Sequence, residues 1–171
     1  WIGKNHNVPV DAFDIGANRK HWPLGLGYDR LYGFIGGETN QWYPELIEDN
    51  HFVEPPYGPE DGYHFSKDIA DKAISFIRDT RQARPGKPWY LWLCYGAVHA
   101  PYQPAKRHLD QLAGIDLDTP KDIFPPRPGK PDWAQKINQW DKDANGKPVS
   151  GKMTFIDWVR QYHQGVIALD E

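Results

Sequence analysis

Two neighbouring segments constrain this chain most: an amphipathic stretch over residues 66–83 and the apolar run that follows it. In the first, Ile69, Ala73, Phe76 and Ile77 recur at the spacing of one helix face. Ser66 suits the N-cap, Asp68 suits the positive end of the helix dipole, and Pro85-Gly86 stops the element. The second, Pro88-Trp89-Tyr90-Leu91-Trp92-Leu93-Cys94-Tyr95, is too short for an ordinary helix. It has the continuous apolar character of a strand buried on both faces of a parallel sheet. A helix feeding such a strand is the second half of a βαβ unit, so the chain is expected to be α/β. Gly96-Ala97-Val98-His99-Ala100-Pro101 follows at the carboxyl end of that strand, where open α/β sheets bind ligands.

Elsewhere the signals are shorter. Residues 4–30 read as irregular, 31–36 as a brief apolar run, and 41–53 as one or two strands around Asp49-Asn50. Pro104 opens an expected short helix over 104–112. Residues 113–150, with Pro120, Pro125, Pro126, Pro128, Pro131 and Pro148, read as a surface excursion. Phe155, Val159, Tyr162, Val166 and Leu169 form one stripe of a final helix over 152–171. Trp1-Ile2-Gly3 reads as the end of a strand, and the last helix reaches Asp170-Glu171 without a capping glycine. An internal piece of a longer protein is the expectation.

The 171 residues suffice for one domain with a core, and 39% hydrophobic with 25% charged residues fits a globular chain. Lys and Arg total 20 against 23 Asp and Glu, so no basic excess exists to displace counterions from a nucleic acid. No apolar run approaches the length of a membrane span. The single cysteine, Cys94, rules out an internal disulfide and sits in an apolar run where burial is its natural role.

Candidate chemistry lies with a few side chains. If Trp1-Ile2-Gly3 is strand, Lys4 and His6 are one alternation apart and point the same way, offering a fixed cation and a titratable donor to an oxyanion. His99 is placed to act as general acid toward a leaving oxygen. Each has a plainer alternative: a solvated lysine, an incidental loop histidine, a histidine bonded to backbone. His21, His51, His64, His108 and His163 have no partner spacing and read as surface or capping residues. Trp22, Trp42, Tyr43 and Tyr57 could line a sugar or aryl pocket or equally fill the core. Serine-nucleophile, phosphate-loop and zinc spacings are missing.

Three stretches together resemble the sulfatase family, the arylsulfatase-type members of the alkaline phosphatase superfamily. Gly3-Lys4-Asn5-His6 resembles its Gly-Lys-x-His segment, residues 22–42 (WPLGLGYDRLYGFIGGETNQW) its following glycine-rich stretch, and residues 96–101 the block holding its second histidine. The resemblance covers most of 1–112, returns at 155–171, and makes 1–171 a central part of a catalytic domain. It implies an incomplete alkaline phosphatase-like fold, a mixed, mostly parallel sheet flanked by helices.

By position, the resemblance implies that Lys4 contacts the sulfate and its bridging oxygen. His6 would bond the hydrated formylglycine nucleophile and help expel sulfate. His99 would bind sulfate and protonate the leaving alcohol, with Trp42 on the substrate side. It further implies Ca2+, a formylglycine and a formylglycine-generating enzyme, with a small-molecule or saccharide sulfate ester as substrate and export to the periplasm or beyond. Cys94 is followed by Tyr95-Gly96-Ala97-Val98 rather than the x-Pro-x-Arg of the modified residue. The nucleophile and the calcium ligands are therefore expected outside residues 1–171, which alone are expected to be inactive. A phosphonate or phosphate-ester hydrolase and a non-catalytic carbohydrate-binding domain are the competing readings.

Overall fold

A computed structural model describes residues 1–171 and divides into two compact units, Trp1–Gln103 and Pro104–Glu171. The first unit carries a five-stranded sheet of β1 (Ile2–Lys4), β2 (Tyr32–Phe34), β3 (Leu46–Glu48), β4 (His51–Val53) and β5 (Leu93–Cys94), with helix α1 (Phe65–Ala83) between β4 and β5 in the chain. Strand order is β4-β3-β2-β1-β5. β1 lies between β2 and β5 and is parallel to both, while β3 is antiparallel to β2 and to β4. Only β3 therefore runs against the rest.

Period-two alternation explains the two cores. Ile2, Tyr32, Phe34 and Leu46 face one way and pack with Phe65, Ile69 and Ala73 of α1. Trp1, Leu31, Ile35 and Ile47 face the other way and are covered by Val8, Ala12 and Trp22 from the irregular segment after β1. Trp22 is fully buried and bonds the Ala12 carbonyl through Nε1 at 2.8 Å, so it fills a core rather than a ligand pocket. Each large apolar side chain sealed this way contributes roughly 1.5–3 kcal/mol.

Two close approaches hold the centre of the sheet. Gly3 has φ +103°, and a Cβ there would fall 1.8 Å from the Cys94 carbonyl oxygen. Asp68, in the first turn of α1 and only 4% exposed, accepts hydrogen bonds from Tyr32 (2.6 Å) and Tyr63 (2.9 Å) on the same carboxylate oxygen.

The structure departs from the sequence pattern at several elements. The N-cap of α1 is His64, whose Nδ1 accepts from the Ser66 amide at 3.3 Å; Ser66 already lies inside the helix. The apolar run over 88–95 forms a strand only at Leu93–Cys94 and is not buried on both faces. Leu91 and Tyr95 pack toward α1, but Tyr90 is 65% and Trp92 46% exposed, with Trp92 stacked on Trp1 at 5.3 Å.

In the second unit the expected helix over 104–112 shrinks to one 3-10 turn, Lys106–His108, and Leu112 turns the chain at φ 64°. His108 is buried rather than on the surface, with Nδ1 2.9 Å from Gln111. Within 113–150, α2 (Asp132–Lys136), β6 (Asp141–Lys142) and β7 (Pro148–Ser150) form. Arg127 organises the turn before them by donating to the carbonyls of Asp122, Ile123, Ala134 and Ile137. β8 (Met153–Thr154) completes a second, antiparallel sheet in the order β6-β7-β8. It leads into α3 (Phe155–Asp170), where Thr154 caps by accepting from the Asp157 amide at 3.1 Å. Tyr162 and Val166 of its apolar stripe remain partly open to solvent. No helix is long and apolar enough to cross a membrane.

Candidate active site

The carboxyl ends of β1, β2 and β5 lie side by side, and the loop after each supplies part of one pocket. The pocket encloses about 480 Å³. Its apolar wall is Phe13, Phe34, Ile35, Ile47 and Phe52; its polar wall includes His6, Glu38, Glu45 and His99. Histidines widely separated in the chain thus meet on one cavity because the parallel pairing of β1 and β5 sets their loops together.

His6 reaches the pocket by a different route from simple alternation. β1 ends at Lys4, and His6 adopts the left-handed region at φ 58°. The loop is tied to the one after β2 by Asn5 N–H to the Phe34 carbonyl (2.9 Å) and His6 N–H to the Ile35 carbonyl (3.1 Å). Lys4 does not line the pocket. Strand alternation therefore does not set the relation between Lys4 and His6; the turn at His6 does. The imidazole lies against Gly37, where a Cβ would come 2.7 Å from His6 Nε2, so a larger residue there would push the His6 ring aside.

A residue in the left-handed region costs roughly 1–2 kcal/mol unless it is Gly, Asn or Asp. His6→Val is accordingly expected to be about 1 kcal/mol less stable than His6→Asn, by urea denaturation. Equal stability of the two variants would contradict the strain.

His99 follows β5 in a tight turn closed by its own amide to the Gly96 carbonyl at 3.0 Å. Its Nδ1 is 2.6 Å from the Ala100 carbonyl and 3.5 Å from Glu38 Oε2. Glu38 carries no spacing signal that sequence reasoning could have used; only the fold brings it to His99. Beneath these loops lies a buried clamp, also unread from sequence. His64 accepts at Nδ1, so Nε2 carries the proton and donates to the Gln103 carbonyl at 3.0 Å. Gln103 in turn accepts from the Gln41 amide at 2.8 Å, and Gln41 accepts from the Phe65 amide at 2.8 Å. The loop after β2, the loop after β5 and the start of α1 are thereby joined.

Trp42 lies outside the pocket lining, its ring edge-on to His64 at 4.8 Å. Tyr43 is exposed, and Tyr57 packs edge-on against Tyr63. Burial pushes the Cys94 thiol up, which keeps it protonated and suits a packing role.

A family model described as Sulfatase matches residues 1–162. The chain belongs to the sulfatase family. An arylsulfatase of Clostridium perfringens (strain 13 / Type A) is 28% identical over 104 residues, 61% of this chain and 19% of that protein. Two solved structures of Ps i-CgsB, one in complex with k-i-k-neocarrahexaose, superpose with TM-scores of 0.57 and 0.52 at 18% identity. Each covers 98% of this chain, which spans 30% and 32% of theirs. At that identity the likeness shows the fold: the mixed sheet with flanking helices of the alkaline phosphatase-like sulfatases, present here in part. Within this sulfatase chain no group of three or more His, Cys, Asp or Glu side chains is gathered to hold a metal ion. The residues present do not fit a calcium site of their own.

Proposed function

We propose that the complete protein hydrolyses sulfate esters, and that the ester lies in the pocket shared by His6 and His99. The observation that carries this is the convergence of these two imidazoles at the ends of parallel strands in a chain of the sulfatase family. The family's nucleophile, a formylglycine, and its calcium would be supplied from outside these residues. His99 donates a proton to the leaving oxygen as the ester bond breaks, which removes the charge that would otherwise build there. His6, on the opposite loop, holds the attacking group or a sulfuryl oxygen by hydrogen bonding. Lys4, the last residue of β1, adds a fixed positive charge at the end of the strand that leads to His6. Donors fixed before reaction favour the charge of the transition state over that of the bound ester.

The phenylalanine and isoleucine wall accommodates a flat apolar group, which favours an aryl ester. The aryl name of the Clostridium relative supports the same class. The saccharide held by one structural relative makes a saccharide sulfate the second class to assay.

The test is kcat/KM of the complete protein on matched sulfate and phosphate esters, with His6→Ala and His99→Ala beside it. Sulfate turnover that falls about 100-fold or more in either variant is expected. A preference for the phosphate ester would move the reading to a phosphoryl hydrolase. Saccharide binding without turnover, lost in Trp42→Ala but kept in Lys4→Ala, His6→Ala and His99→Ala, would make the protein a carbohydrate-binding domain.

A further inference from the structure

Glu38 and His99 come from loops after different strands and meet at the rim of the pocket. Resting on the reading of His99 as proton donor, we propose that Glu38 is its positioning residue. A carbonyl only accepts, so the 2.6 Å contact from Nδ1 to the Ala100 oxygen places a hydrogen on Nδ1. Nε2 is then the nitrogen left to face a substrate. The Ala100 contact is made to the very next residue, and it moves with the loop that carries His99. With the Nδ1 hydrogen held there, the proton given to the leaving oxygen is the second one of the imidazolium, on Nε2; the contact does not set where the ring stands relative to the rest of the pocket.

Glu38 supplies that second reference point. Its Oε2 is 3.5 Å from the same Nδ1, and it belongs to the loop after β2. The same loop contributes Gly37, against which the His6 ring lies. One short segment therefore touches both imidazoles and sets their separation: Gly37 by contact with His6, Glu38 by attraction to His99. Thr39, next in the chain, accepts from the Glu45 amide at 3.1 Å, which braces the segment from behind. A carboxylate that orients an imidazole through its far nitrogen, while the near nitrogen does the chemistry, is a general device of acid–base sites.

Glu38 is 64% exposed, so changing it leaves the fold intact. The complete protein is assayed as wild type, Glu38→Leu, Glu38→Gln and His99→Ala, with a nitrophenyl sulfate and an alkyl sulfate. The first leaves without help; the second needs its oxygen protonated. Glu38→Leu is expected to lower kcat on the alkyl sulfate about tenfold and on the nitrophenyl sulfate less than about twofold. Glu38→Gln, which keeps an acceptor oxygen, is expected to recover most of the loss. If His99→Ala lowers both substrates by the same factor, His99 is not the proton donor and the proposal falls with that reading. If His99→Ala is selective for the alkyl sulfate but Glu38→Leu matches wild type on both, the site reading stands and Glu38 has no positioning role. Equal losses on both substrates in Glu38→Leu, or no recovery in Glu38→Gln, would also overturn it.

Discussion

Gly3→Ala is expected to destabilise the first unit by about 4 kcal/mol or more, at the severe end for a single substitution. Two effects combine. An alanine in the backbone conformation of Gly3, at φ +103°, is strained whatever space surrounds it. The added Cβ would also fall 1.8 Å from the Cys94 carbonyl oxygen, well inside contact distance. The neighbouring atom is backbone, not the end of a flexible side chain, so relief requires β5 to move away from β1. That movement breaks the pairing Gly3 with Cys94 and pulls the His99 loop off the pocket. Chemical denaturation of the variant measures the loss directly, and a penalty below about 1 kcal/mol would show that the strands separate easily.

Asp68→Ala is the second large effect, expected at about 3 kcal/mol from two buried phenols left without an acceptor. Tyr32 and Tyr63 both donate to one oxygen of Asp68, and none of the three side chains has ready access to water. Asp68→Asn keeps an acceptor oxygen and should lose about 1 kcal/mol. Tyr63→Phe in the Asp68→Ala background should lose less than it does alone, since the hydroxyl it deletes is already unpaired. The same group has a pH signature. Burial first, and the Asp68 carboxylate second, push both phenols up from their ordinary range. The native state therefore keeps protons that the unfolded chain releases near pH 10. This contribution is complete below about pH 10 and is lost as pH rises beyond it. Denaturation midpoints from pH 7 to 11 should fall at the alkaline end, and less steeply in Tyr63→Phe.

The helix and its partner strand were legible because their signals are local. Ile69 and Ala73 mark a face that packs as expected, and the turn residues around Asp49-Asn50 do join β3 to β4. The apolar run over residues 88–95 announces a strand but not its length: only Leu93–Cys94 pair, with β1, and Tyr90 and Trp92 stay open to solvent. His6 and His99 stand out in the sequence and share a pocket, but strand alternation does not place His6, because its own left-handed backbone interrupts the alternation. Glu38, Gln41 and Gln103 left no trace in the sequence pattern. An acidic residue in a loop and two amides become informative only when the fold sets them against His99 and His64.

The placement of β5 also bears on the order of events during folding. Ile2 pairs with Leu93, almost at the far end of the first unit. Contacts so distant in sequence form late, after the hairpin of β3 and β4 and after α1, because long loops must close first. His99 therefore joins the pocket only with the last pairing of its sheet. Helical circular dichroism should recover before any signal that depends on His99 does during refolding, and a half-folded chain, however helical, offers a pocket with one of its two imidazoles.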